Sequence, residues 1–189
     1  HLAARSSVPR SIAEPIAAHA VNATGTAMVL EAARREGAVQ VIFASSSSVY
    51  GSTEELPKHE GLVPRPISPY GASKLAAESY ALAWGRCYGF PVLALRFFNV
   101  YGPLQPPTHA YAAVVPAFIA AACDNRPLPI FGDGNQYRDF TFVESVVDVI
   151  IRAITDRKSH PGPVNLAFGT RVTLLEVVEK LELIFGRPL

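Results

Sequence analysis

The strongest constraint on the fold is an alternation: a segment with helical spacing, then a short apolar run rich in β-branched residues, then another helical segment. "VQVIFAS" at 39–45, "FPVLALRFFNVYG" at 90–102 and "PVNLAF" at 163–168 are too uniformly apolar for strands with one wet face. They suit strands covered on both sides, as in a parallel sheet. The segment from Ile16 to Glu36 carries Ile16, Ala20, Val21, Met28, Leu30 and Ala32, with Pro15 in front and Gly37 past its end, which predicts a helix. A second helix is predicted over "SPYGASKLAAESYALAWGRCYG", where Ser68 can cap, Pro69 fits the first helical position and Gly89 lies near the stop. Helix and buried strand in alternation imply an α/β fold with a doubly wound parallel sheet.

The pattern changes after Gly102. "GPLQPPTHAY" reads as proline-rich loop, "AAVVPAFIAAAC" as helix, and "LPIFGDGNQYRDFTF" as short strands and turns with an Asp-Gly signal. Helical spacing resumes in "VESVVDVIIRAITD", and "VTLLEVVEKLELIFG" opens on a Thr173…Glu176 capping box and closes on Gly186. The expected division is a Rossmann-type domain over 1–101 and 143–168, with a smaller substrate lobe over 102–142 and 169–189. The chain opens on "HLAARSSV", with neither an initiator Met nor a signal-peptide pattern, and reads as an internal piece of a longer protein.

Charge is balanced, 17 basic against 16 acidic residues without like-charged runs, so neither a nucleic-acid nor a membrane surface is suggested. No segment approaches the ~18 consecutive apolar residues of a membrane span. Cys87 and Cys123 lie in helix-like stretches without C-x-x-C spacing and read as reduced core residues. The histidines, His109 among them, form no i, i+4 pair, and no metal is expected. A cytoplasmic protein acting on small molecules is the expectation.

Tyr70 and Lys74 stand i, i+4 on the predicted second helix and share one face. An ammonium beside a phenol favours the phenolate, which would make Tyr70 an acid/base, whereas a solvated surface pair is the alternative. Ligands of doubly wound folds bind beyond the carboxyl ends of the strands. The run Ser45-Ser46-Ser47-Ser48 occupies that place after Val41 to Ala44, and Asn99 does so after Val92 to Phe97.

The words "HLAA", "NATGT", "ASSSSVYG", "SPYGASK", "RFFNVYGP", "YAAVVPAF" and "GDGNQYRDFTFV", in this order, cover almost the whole chain. Together they resemble the extended short-chain dehydrogenase/reductases, within them the nucleotide-sugar epimerases and dehydratases, most of all those similar to UDP-galactose 4-epimerase. The resemblance implies NAD as cofactor and a UDP-sugar as substrate. It makes Tyr70 the catalytic base, Lys74 the partner that lowers its pKa and holds the cofactor ribose, and Ser46 the hydroxyl on the reacting sugar oxygen. Leu2, Ala3, Ala4 and Asn22 would form the cofactor-side wall, with Phe98 beside the nicotinamide. Asn99 would meet the substrate phosphates, Val114, Ile130 and Phe131 the nucleotide base, and Arg138 the diphosphate, for which its forked guanidinium is suited.

Relatives that dehydrate or decarboxylate nucleotide sugars carry acidic residues just after the catalytic Ser/Thr. Ser47 and Ser48 stand there in this chain, which favours epimerisation. The alternatives are a dehydratase or decarboxylase, an epimerase for UDP-glucuronate or UDP-N-acetylglucosamine, and a non-catalytic ligand-binding domain of the same fold. The Gly-rich phosphate loop and first strand of the family have no counterpart in this sequence. A homodimer is also implied, built as a four-helix bundle from the helices around Ala20 to Ala33 and Ala76 to Trp84.

Overall fold

A computed structural model describes residues 1–37, 39–107 and 113–189. His109 and the start of "YAAVVPAF" lie outside the described residues. In chain order the helices are α1 (Val8–Ala13), α2 (Pro15–His19), α3 (Gly25–Arg35), α4 (Pro69–Tyr88), α5 (Val114–Cys123), α6 (Val143–Thr155) and α7 (Leu174–Phe185). The strands are β1 (Val41–Ser46), β2 (Val92–Phe97), β3 (Val100–Tyr101), β4 (Tyr137–Arg138), β5 (Thr141–Phe142), β6 (Pro163–Leu166) and β7 (Val172–Thr173). The chain divides into two compact units, 1–98 with 147–166, and 99–146 with 167–189.

The first unit is built on a parallel sheet of order β1-β2-β6, with Val41 opposite Val92 and Ser46 opposite Phe97. On the free edge of β1 the residue-1 backbone bonds as a parallel neighbour: its N–H donates to Ile42 O at 2.7 Å and its carbonyl accepts from Ala44 N at 3.2 Å. The apolar runs became strands for the reason their composition suggests. Val41, Phe43, Val92 and Ala94 are buried with Leu30 of α3 and with Ala77 and Ala81 of α4, whose small side chains let helix and sheet approach closely.

α4 starts and stops as its sequence requires. Ser68 Oγ accepts from Gly71 N at 3.0 Å, Pro69 occupies the first turn, and Gly89 takes the left-handed conformation past the end. The single helix expected over Ile16 to Glu36 is instead α2 and α3 joined through one π-turn, Ala20–Thr24. Its buried stripe is also not the apolar one. Ala18, Asn22, Ala23, Thr26 and Leu30 face inward, while Ile16 (79% exposed) and Met28 (69%) face outward, because Asn22 and Thr26 satisfy their polar groups inside.

The second unit has a core of Phe118, Leu174, Val177 and Leu181, which joins α5 to α7. β4 pairs antiparallel with β7, and β3 pairs parallel with β5. The capping box closes as read: Thr173 Oγ1 accepts from Glu176 N at 3.0 Å and the Glu176 carboxylate accepts from Thr173 N at 2.6 Å. Cys87 and Cys123 are exposed thiols, contrary to the expected core placement, since each lies at the last turn of its helix on the outer side. No helix among the described residues is long and apolar enough to cross a membrane.

Candidate active site

The serine run and the start of α4 are held against each other by a close backbone approach. A side chain on Gly71 would place its Cβ 2.6 Å from Ser48 O and 3.1 Å from Pro66 Cβ, so only glycine lets the helix come this near. Tyr70, the preceding residue, is fixed by its backbone at both ends. Its N–H donates to Ser11 Oγ at 2.9 Å, and its carbonyl accepts from Ser73 Oγ at 2.8 Å. Ser73 Oγ in turn accepts from Asn22 Nδ2 at 3.0 Å.

β1 ends at Ser46, which caps the short 3-10 turn Ser47–Val49 by accepting from Ser48 N at 3.1 Å. The Ser46 hydroxyl, placed to hydrogen-bond the Tyr70 phenol, favours its ionised form. Burial is the larger influence and raises the Tyr70 pKa above the usual tyrosine value. Against that rise, the pull toward a lower value comes from Ser46. Lys74, one turn along the same stripe and 3% exposed, has its Nζ 4.8 Å from the centroid of the Phe43 ring. Burial lowers its pKa to about 8, and the carboxylate of Glu78 works in the other direction.

Among the described residues Lys74 Nζ has no hydrogen-bond acceptor, so its donors are available to a hydroxyl-bearing ligand such as a ribose. That donor set fits a dinucleotide cofactor. The Asn22 amide does not offer the same: Oδ1 accepts from Arg5 N at 2.7 Å and Nδ2 donates to Arg5 O at 3.1 Å as well as to Ser73. Asn22 therefore shapes the segment after Ala4 rather than presenting a free amide. Leu2 and Ala3 are exposed and Ala4 is half-buried. Phe98 packs, half-buried, against the cluster of Val49, Tyr50 and Leu62.

In the second unit Asn99 is exposed and its Nδ2 donates to Asp139 O at 2.9 Å. Val114 and Ile130 are half-buried against Phe118 and Leu174, while Phe131 is 83% exposed. Arg138 is exposed on β4, and its one hydrogen bond among the described residues runs from Nη1 to the neighbouring Tyr137 O at 2.9 Å.

Sequence reasoning missed a buried polar hub in the first unit. Glu78 accepts from Arg96 Nη2 at 2.6 Å, from Arg96 Nε at 3.0 Å and from Ser45 Oγ at 2.5 Å. Glu78 lies four residues beyond Lys74, on the stripe already singled out, and that spacing was the available signal. Asp139 was missed too: its carboxylate accepts from Phe168 N at 3.2 Å and Gly169 N at 2.7 Å.

Residues 1–167 match the family model described as Epimerase, NAD dependent epimerase/dehydratase family. The chain belongs to this NAD-dependent epimerase/dehydratase family. Among curated relatives, a UDP-glucose 4-epimerase of Mycolicibacterium smegmatis is 42% identical over 154 residues, covering 81% of this chain and 49% of the relative. Among solved structures, the UDP-glucose 4-epimerase of Thermotoga maritima with UDP-glucose superimposes with a TM-score of 0.93 at 34% identity, covering 100% of this chain and 62% of that one. The UDP-glucuronic acid 4-epimerase of Bacillus cereus, in complex with UDP-glucuronic acid and NAD, gives a TM-score of 0.87 at 32% identity over 97% of this chain and 58% of that one. The chain spans about half the length of curated relatives that it matches. The fold is thus the Rossmann-type α/β architecture of nucleotide-sugar epimerases and dehydratases.

Proposed function

We propose that this chain carries the acting residues of an NAD-dependent UDP-sugar 4-epimerase of the UDP-glucose/UDP-galactose kind. The observation that carries the reading is the grouping of buried Ser46 and Lys74 with half-buried Tyr70, Ser46 standing at the carboxyl end of β1, where doubly wound folds bind ligands. In this reading the first unit takes the cofactor and the second takes the nucleotide sugar. NAD, when bound, supplies the hydride acceptor and donor for the sugar carbon. Tyr70 holds and moves the proton of the 4-hydroxyl, and Ser46 orients that oxygen. Lys74 donates to the cofactor ribose and lends positive charge to the site. Leu2, Ala3, Ala4 and Phe98 border the cofactor, and Asn22 supports that border through Arg5. Asn99, Val114, Ile130, Phe131 and Arg138 meet the nucleotide and its diphosphate.

Burial leaves the Tyr70 phenol neutral near pH 7, so positive charge must first stabilise its phenolate, which then takes the 4-hydroxyl proton as a base and afterwards, as the phenol, gives it back. Epimerisation needs both roles in turn, because the same proton is removed and then returned. Ser47 and Ser48, which form the 3-10 turn after Ser46, offer no carboxylate for a dehydratase's or decarboxylase's further proton transfer. Exposed Val21, Met28, Val29, Tyr80 and Tyr88 on α3, its preceding turn and α4 support a homodimer through these helices.

The test is Tyr70→Phe in the full-length protein, with UDP-glucose and UDP-galactose interconversion followed by proton NMR. Turnover is expected to fall by roughly 10²- to 10⁴-fold. Undiminished interconversion removes Tyr70 from the mechanism, and accumulation of a stable keto or pentose product in the unsubstituted enzyme makes the protein a dehydratase or decarboxylase.

A further inference from the structure

The hub of Glu78, Arg96 and Ser45 lies outside the proposed chemistry yet touches every element that presents it. Glu78 and Arg96 are 3% and 2% exposed, and the carboxylate takes both of its Arg96 contacts side on, in the forked geometry of a guanidinium pair. Ser45 and Arg96 are register partners across β1 and β2, so one carboxylate on α4 grips both strands at the same level. The next residue on β1 is Ser46, and Phe98 follows directly after the end of β2. The hub extends further: the Arg96 guanidinium lies 4.7 Å from the Tyr50 ring centroid, and Tyr50 Oη donates to Asn165 Oδ1 at 2.7 Å, on β6. Three strands and α4 thus meet where the sheet ends.

A buried ion pair is a poor device for stability alone, since an apolar pair of similar volume often does as well. Its value lies in direction. Tyr70, Lys74 and Glu78 recur at four-residue intervals on one stripe of α4, so whatever fixes Glu78 against β1 and β2 fixes the azimuth of the other two. The charged and titratable groups around Lys74 are Tyr70 and Glu78 on its own helix, the amino group of residue 1 beside β1, and Arg96 on β2 behind Glu78. Of these Glu78 is the one carboxylate.

We propose that Glu78 is a positioning residue of the candidate active site: through Ser45 and Arg96 it sets the register at which Ser46 and Phe98 meet the Tyr70–Lys74 stripe. The inference rests on the reading of Tyr70 and Lys74 as acting groups.

The experiment uses the full-length protein and three variants, Glu78→Gln, Ser45→Ala and Tyr70→Phe, with two readouts. One is epimerase turnover with its pH profile. The other is acetylation of Lys74 by acetic anhydride across pH 6 to 10, quantified by peptide mass spectrometry, which needs no turnover. Loss of the carboxylate removes a contribution that raises the Lys74 pKa, so in Glu78→Gln the acetylation midpoint moves down by about one unit. The alkaline limb of turnover moves down with it, and kcat falls by roughly ten- to a hundredfold while KM changes little. Ser45→Ala, which keeps the charge, lowers kcat without moving the midpoint, and it carries the geometric half of the test if Glu78→Gln does not fold. The inference is overturned if both variants keep turnover and the Lys74 midpoint while Tyr70→Phe is inactive. If Tyr70→Phe is fully active, the underlying reading falls and this inference falls with it.

Discussion

The two units treat their candidate residues in opposite ways. In the first, Ser46, Lys74, Glu78 and Arg96 are all buried, and each of Ser46, Glu78 and Arg96 has a named partner that fixes it. In the second, Phe131 and Arg138 stand at the surface, and among the described residues Arg138 bonds only to its own neighbour's carbonyl. Proton transfer needs groups held in a dry, fixed geometry, where burial moves proton affinities. Recognition of a diphosphate needs a guanidinium whose donors are still free. The difference therefore separates residues whose loss harms the fold from residues whose loss harms only binding.

The largest expected effect lies in the first unit. Arg96→Met leaves Glu78 as an uncompensated buried charge and should cost about 3–5 kcal/mol, read by urea denaturation of the full-length protein. A loss below about 1 kcal/mol would mean that water reaches Glu78, and the contrast between the units would fail.

The next test sets stability against activity within the same residue. Lys74 titrates near 8 in the folded chain against 10.5 for an unburied lysine. Between those values the unfolded state binds more protons than the native state, so the Lys74 contribution to stability rises with pH, by roughly 3 kcal/mol in all. Turnover should fall over the first part of that window, because the cation is lost. The measurement is the difference in unfolding free energy between the unsubstituted protein and Lys74→Met from pH 7 to 10, beside the pH profile of turnover. If the unfolding free energy of the unsubstituted protein minus that of Lys74→Met falls as pH rises, the burial of Lys74 is contradicted.

Much of this architecture is legible in the sequence, and the failures have physical reasons. Ser68, Pro69 and Gly89 mark α4, and Thr173 with Glu176 marks α7, because capping is local and depends on a few adjacent backbone groups. The three apolar runs became the parallel sheet for an equally local reason. The Glu78–Arg96 pair was not legible, because its partners are 18 residues apart and its third member, Ser45, lies 33 residues from Glu78. A charged residue in "KLAAESY" or "LALRFF" reads as surface until the sheet brings the two together. Apolar spacing over Ile16 to Glu36 marks a helix, but it cannot weigh an apolar stripe against one whose polar members, Asn22 and Thr26, find buried partners. The Tyr70 pKa went the other way for a similar reason: spacing gives the proximity of Lys74, whereas burial depends on the whole fold.

Arg138 gives the smallest effect and the sharpest form of the contrast. Its guanidinium is exposed and makes no ion pair among the described residues, so Arg138→Ala should leave the unfolding midpoint unchanged within error. If the side chain grips the substrate diphosphate, the same substitution removes charge-assisted hydrogen bonds of about 1.5–3 kcal/mol, and KM for the UDP-sugar should rise by roughly ten- to a hundredfold at unchanged kcat. Free UDP should weaken in parallel as an inhibitor, because the lost contact belongs to the phosphates and not to the sugar. A variant that binds UDP normally would move diphosphate recognition to other donors, and one that loses stability as Arg96→Met does would show that the surface position of Arg138 also serves the fold.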